Sequence, residues 1–334
     1  MHVSHTFTHE SQDAAVYSDV KKEIEWNQAW LNMMGLSSAK WFSGGGFIPP
    51  AITGMHNADA LRAWMDNGLG NAVGDNTRPV LLNTQNEHWP LITSVAGNGY
   101  DGVQITPRWA TNIFYNASFL PFPTSPASPP FSHSNTFPKT QCDTPTCDLA
   151  EWVSFGNVGS MSDILTLERK TNSRHLLALR HDPFMFHQAN LRWEGQNKTT
   201  INGVYGQYSM LQMWVETVVT EVTRLVQWPI LSLKHDDIAA AFRERATRDA
   251  CGYSLSWNFS NQTITSVTVS APSVSDICSV PIPVTIPGSG VVDDKGFKSE
   301  KLGIDPLTIW VVLNGSNVTL QLKDAVSWSR DVLK

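Results

Sequence analysis

No stretch of this chain approaches the roughly 20 consecutive apolar residues that a membrane-spanning helix needs, so no membrane span is expected. A basic excess is missing too: 24 Lys and Arg face 30 Asp and Glu, for a formal charge of −6. Without a basic footprint, nucleic acid is not an expected partner. Residues 1–20 lack both the basic n-region and the apolar h-region of a secretory leader. Internal repeats are absent. Cysteine is scarce, with four in 334 residues, and the four fall into two sequence-local pairs. Their spacings are not those of zinc-finger ligands, so they read as disulfides, Cys142–Cys147 and Cys251–Cys278.

What is present points outside the cell. Six N-x-S/T sequons, at Asn116, Asn197, Asn258, Asn261, Asn314 and Asn317, predict a secreted, extracellular glycoprotein. Set beside the missing leader, they predict a chain that lacks its true N-terminus. Apolar residues make up 41% of the sequence, with 13 Trp and 14 Phe. That composition can both bury cores and line a sugar-binding cleft. The length suits two domains, divided at about residue 250, in a monomer.

Short apolar strands alternate with amphipathic helices over the first 250 residues, the pattern of an α/β layer or barrel. Residues 13–34 carry Val16, Val20, Ile24 and Leu31 at helical spacing, with Gly35 as a stop. A second helix over 58–67 leads to a short strand, NAVGD (71–75), and then to NTRPV (76–80). A further strand, PLITSVA (90–96), precedes GVQITPRWATNIFYN (102–116). Phe119–Thr146 is a Pro/Ser/Thr-rich insertion. Helix resumes in SMSDILTLERKT (160–171), after which Leu176–Leu179 reads as an apolar strand ending at Arg180-His181-Asp182. A helix over 208–226 and a strand-helix unit, PILSLKHDDIAAAFRERA (229–246), complete this region. Beyond Cys251 the β-branched alternation of 252–330 predicts a small antiparallel β-sandwich.

His5 and His9 stand at i and i+4, which brings two imidazoles to one side of a turn, and neutral imidazole is a ligand for zinc and similar divalent ions. Taken alone the spacing is weak, and it also fits ordinary surface or core histidines. His181, at the expected strand end, stands where barrel enzymes place their chemistry; a satisfied core histidine is the plain alternative. Arg78 is a site candidate or one half of a surface ion pair. Arg108, Trp109 and Trp89 are candidates for a sugar cleft or for core. Asp182 either orients a histidine or closes the turn before Pro183, and His187 is a lesser candidate. Asp75 is a candidate carboxylate that equally fits a loop role before Arg78, and Asp236–Asp237 follows an expected strand but stands in the wrong chain order, where Asp before IAAAF is an ordinary helix N-cap.

In chain order, SHTFTHE (4–10), NTRPV (76–80) and LALRHDP (177–183) resemble three motifs of the NodB-type polysaccharide deacetylases. The wider context, GDNTRP, ITPRWATNIFYN and LRHDPFMFHQANLR with a β-rich tail, is most similar to the fungal secreted galactosaminogalactan deacetylases. The resemblance implies a distorted and incomplete (β/α) barrel over 1–250, followed by the C-terminal sandwich over 251–334. It implies de-N-acetylation of an extracellular amino-sugar polysaccharide at a divalent metal, zinc by preference. His5 and His9 take the metal positions, His181 that of the general acid, and Arg78 that of the arginine orienting a catalytic aspartate. Arg108, Trp109 and Asp182 would touch substrate. Such deacetylases carry a strand ending in Asp-Asp before the histidine pair, which supplies the base and the third ligand. Only four residues precede His5, so the chain as written is expected to be inactive or nearly so. A secreted, non-catalytic carbohydrate-binding or adhesion glycoprotein is the alternative. Two further readings are a different metal-dependent amidohydrolase completed by Asp75 or Asp236, and a truncated product without independent function.

Overall fold

The computed structural model describes residues 2–113, 159–271, 278 and 280–327. Asn116, Cys142 and Cys147, together with most of the Pro/Ser/Thr-rich insertion, lie outside the described residues. The chain divides into two compact units: residues 1–74, 80–106 and 227–334 form the first, and 75–79 with 107–226 form the second.

The first unit is built on a five-stranded sheet of β1 (His2–Ser4), β2 (Phe42–Phe47), β3 (Asn71–Val73), β4 (Leu91–Ile92) and β5 (Gln104–Thr106), in the order β1-β2-β3-β5-β4. The first four strands in that order run parallel, and β4 closes the edge antiparallel to β5. Side chains alternate across a strand, and the sheet uses both faces. Phe47, Ala72 and Ile105 enter one core with Val20 and Ile24 of α1 (Tyr17–Met33) and Leu61 and Trp64 of α2 (Ala58–Asp66), and a single-turn α3 (Val95–Asn98) follows β4. Their neighbours Gly46, Asn71 and Gln104 face the other way, toward α6 (His235–Ala250). A Cβ on Gly46 would stand 2.8 Å from the His235 ring and 3.0 Å from Val3, so the helix can dock this close only over glycine. Asp236 fixes the dock by accepting the Gly45 N–H at 3.1 Å.

Beyond α6 the same unit holds two antiparallel three-stranded sheets. β8 (Ser254–Ser260), β9 (Thr263–Ser270) and β13 (Val318–Ser327) form one, in the order β13-β9-β8; β10 (Ile282–Ile286), β11 (Lys298–Glu300) and β12 (Leu307–Val311) form the other, in the order β10-β12-β11. Their inward rows, Val267, Val269 and Leu320 from the first and Ile282, Val284, Ile286, Ile309 and Val311 from the second, share one buried cluster. Cys251 and Cys278 are joined by a disulfide with a Cα–Cα distance of 5.0 Å, pinning the chain just after α6 to the region before β10.

The second unit packs α4 (Met161–Leu177) against α5 (Met210–Leu225), with the hairpin β6 (Lys198–Ile201) and β7 (Val204–Gln207) beside them. Both helices start on capping boxes, Ser160 with Asp163 and Ser209 with Gln212. Met161, Ile164 and Leu165 meet Met210, Met213, Trp214 and Val218 in its core.

Two expected strands are absent. Leu176 and Leu177 continue α4, Ala178 is its C-cap, and Leu179 turns into the left-handed region at φ 59°. Leu176 packs against the core that Leu165 enters on the same helix, so the helical period wins over the short apolar run. Residues 229–234 likewise form no strand. Asp236 and Asp237 lie in the first turn of α6, and Lys234, not either aspartate, is its N-cap.

Candidate functional site

Strand β1 ends at Ser4, so His5 is the first residue beyond the carboxyl end of a parallel strand, the end at which open α/β sheets bind ligands. The His5 and His9 rings stand edge to face with centroids 4.7 Å apart. His5 Nδ1 lies 2.7 Å from the Ile48 carbonyl oxygen, one residue past β2. A ring that donates through Nδ1 leaves the Nε2 lone pair for a cation, and a hydrogen bond of this kind sets the tautomer of metal-bound histidines. Burial, with a smaller push from His9, lowers the pKa of His5 and so favours neutral imidazole, the form that ligates. His9 is exposed.

The turn between the two histidines is tied to α1. Glu23 accepts the N–H of Phe7 at 3.1 Å, the N–H of Thr8 at 2.7 Å and the Thr8 hydroxyl at 2.6 Å. One turn further, Asn27 accepts the Ser4 hydroxyl at 2.9 Å. The Phe7 ring rests edge-on against Trp26, with centroids 5.9 Å apart. Neither Glu23 nor Asn27 was a candidate on sequence grounds. The signal that finds them is helical spacing on the helix that follows the motif.

The two imidazoles therefore fit the ligand set of a zinc-like ion. Among the described residues, however, no three His, Cys, Asp or Glu side chains come together as a metal site. The carboxylates weighed above are engaged elsewhere. Asp236 accepts from the Gly45 N–H and, at 3.4 Å, from Asn71 Nδ2. Asp75 Oδ1 accepts the Thr77 N–H at 2.9 Å and the Thr77 hydroxyl at 2.7 Å, while its Oδ2 takes Arg108 at 2.9 Å and Arg78 Nε at 3.7 Å. Both oxygens of Asp236 and of Asp75 thus carry contacts of their own, and Asp237 lies 4.0 Å from Lys234.

The other candidates cluster in the second unit. The segment Arg108–Trp109 lies beside Pro183–Phe184: the Trp109 N–H donates to the Pro183 carbonyl at 3.0 Å, and Trp109 bridges Phe184 in parallel register. Arg108, only 8% exposed, spends its guanidinium on Asp75 and on the Met185 sulfur at 3.3 Å. Burial lowers its pKa and the Asp75 charge raises it. Trp109 packs on His175, and the Arg180 guanidinium lies 5.1 Å from its ring centre. Arg180 also pairs with the buried Asp182 at 3.6 Å. His181 is half-buried in this loop. It follows the C-terminus of α4, not a strand, which corrects the expected placement. His187 opens a 3-10 turn over Gln188–Leu191. In the first unit, Trp89 donates to Asp249 at 2.7 Å.

One residue that sequence reading missed anchors this loop region. Glu168, 1% exposed on α4, accepts from the Asn112 N–H (2.8 Å), Asn112 Nδ2 (2.5 Å), Asn172 Nδ2 (3.0 Å) and Trp214 Nε1 (2.5 Å). Its visible signal was a carboxylate at an inward helical position, one turn after Ile164 and Leu165. Of the sequon asparagines within the described residues, all are exposed. Asn258 lies on β8 with its amide on Ser266 and Thr268, Asn261 lies in the β8–β9 turn, Asn314 and Asn317 precede β13, and Asn197 precedes β6.

No curated protein matches the chain. Among solved structures, one described as the crystal structure of Agd3, a novel carbohydrate deacetylase, matches with 48% sequence identity and a TM-score of 0.86, over 98% of this chain and 45% of that one. The chain thus spans less than half the length of that protein. No helix among the described residues is long and apolar enough to cross a membrane. The family model for the Agd3 deacetylase domain matches residues 1–123 and 136–256, and that for the Agd3 C-terminal domain matches residues 257–326. By the extent of these matches and the identity that accompanies them, the chain belongs to the Agd3 carbohydrate deacetylase family.

Proposed function

We propose that this chain carries part of the machinery of a metal-dependent N-deacetylase acting on an extracellular amino-sugar polysaccharide of galactosaminogalactan type. The observation that carries the reading is the His5–His9 pair, edge to face at a parallel strand's carboxyl end, in a member of this family. In this reading His5 and His9 hold the cation, zinc by ligand type, and a bound ion of that kind polarises an acetyl carbonyl and acidifies water. His181 gives its proton to the departing amine nitrogen. Arg78 and Arg108 share the Asp75 carboxylate and so keep two guanidinium groups fixed in the loop. Trp109 lines the substrate surface, and the buried Asp182 holds Arg180 beside it. The five-stranded sheet is then the remnant of a distorted, incomplete (β/α) barrel within residues 1–250, and the two three-stranded sheets over one core form the C-terminal sandwich of 251–334. The six sequons support secretion.

Among the described residues no third His, Cys, Asp or Glu joins the pair, and two imidazoles alone hold a cation weakly. A general base contributes on the order of 10²- to 10⁴-fold in rate, and with no described carboxylate joined to the histidine pair turnover by these residues is expected to be slight. The same observation favours a second reading, a secreted carbohydrate-binding or adhesion glycoprotein. Acetate release from poly-N-acetylgalactosamine, with and without chelator, separates the two. Release that chelator abolishes and His181→Ala lowers by 10²-fold or more supports the enzyme. Polymer binding with no metal-dependent acetate, from this chain and from a longer chain bearing an Asp-Asp strand, leaves the binding module.

A further inference from the structure

The turn that presents the two histidines is built from unfavourable backbone. Thr6 at φ 64° and His9 at φ 61° both occupy the left-handed region without being glycine, a conformation that persists only where the surroundings over-determine it. Between them lie Phe7 and Thr8, and all three donors that this pair offers to α1 end on one carboxylate, Glu23. Both Glu23 oxygens are thereby committed to the turn, Oε2 to the two N–H groups and Oε1 to the hydroxyl. Glu23 is therefore not itself a ligand in waiting, close though it is to the pair in the fold. Asn27, on the same face of α1, holds Ser4 at the other end of His5.

We propose that Glu23 is the positioning residue of the histidine pair: its carboxylate locks the Phe7–Thr8 turn so that His5 and His9 already stand side by side before a cation arrives. The proposal rests on reading His5 and His9 as metal ligands. Preorganisation matters more here than in a complete site, because two ligands have little binding energy to spend on ordering a loop.

The test uses the full chain and its Glu23→Ala, Glu23→Gln and His9→Ala variants. Zinc affinity is measured by competition with a chelating dye, and amide hydrogen exchange of Phe7 and Thr8 is followed in zinc-free samples. Glu23→Ala is expected to speed exchange at Phe7 and Thr8 by at least tenfold and to weaken zinc about 10- to 100-fold, the range for outer-shell partners. Glu23→Gln, which keeps one acceptor oxygen, should fall between. Thermal midpoints should stay within a few degrees, which separates positioning from a general loss of fold. Wild-type zinc affinity and wild-type exchange in Glu23→Ala would overturn the clamp while a loss in His9→Ala left the metal reading standing. Zinc uptake by the wild type that His9→Ala leaves unchanged would overturn the metal reading and the assignment of Glu23 with it.

Discussion

Replacing Asp75 by alanine should cost more than its four contacts suggest, because it strands a buried cation. Arg108 is 8% exposed and its guanidinium meets Asp75 Oδ2 at 2.9 Å. Deleting one partner of a buried pair typically costs about 3–5 kcal/mol. Loss of the two Thr77 hydrogen bonds adds about 0.5–1.5 kcal/mol each. Asp75→Ala is therefore expected to lower stability by roughly 4–8 kcal/mol, against total stabilities of about 5–15 kcal/mol for ordinary domains. Pairing it with Arg108→Met removes the stranded charge, and since a buried ion pair roughly breaks even against apolar side chains, the double variant should regain most of that pair's share. Urea denaturation followed by tryptophan fluorescence measures the totals. Hydrogen exchange at Asn76 and Ala110, whose N–H groups donate to the Arg108 carbonyl and the Asn76 side chain, reports the loop itself where two units unfold separately. Additive effects of the two substitutions would refute the reasoning, as would a loss below about 1 kcal/mol for Asp75→Ala alone.

The same logic extends to Glu168: Glu168→Gln turns an –NH₂ toward two of its four donors and should destabilise by about 3 kcal/mol, seen as a shift in the Trp214 fluorescence transition. Removing the Cys251–Cys278 bridge, with a separation of 27 residues, should cost about 3.5 kcal/mol in the chain-entropy model, read as a lower denaturant midpoint with unchanged sheet signal. Burial lowers the pKa of His5 and of His235. The unfolded chain therefore binds protons more readily, and stability present above about pH 6.5 is lost as pH falls through the depressed folded values. Urea midpoints at pH 7.5, 6.5 and 5.5 should fall in that order, and His235→Gln should flatten the slope.

Long, periodic segments were legible in the sequence. Val20, Ile24 and Leu31 point inward on α1 as their spacing requires, and the alternation of Ile282, Val284 and Ile286 marks β10. Leu176–Leu179 was misleading because four apolar residues fit a strand and a helix end equally well, and only the core decides between them. The site was legible as motifs and not as geometry. The spacing of His5 and His9 shows in the chain, whereas Glu23, Glu168 and the sharing of Asp75 by two arginines depend on tertiary neighbours that no local pattern encodes.

The dock of α6 over the glycines of β2 has a consequence in time. Gly45 and Asp236 are separated by 191 residues, and a ribosome adding 5–20 residues per second needs about 10–40 s to span them. From its own synthesis until α6 emerges, each of the nascent strands β2, β3 and β5 has one face without its helix, while the residues of the second unit are still being made. A chain with this layout should depend on holding factors during synthesis, and its yield should rise when translation between residues 75 and 226 is fast.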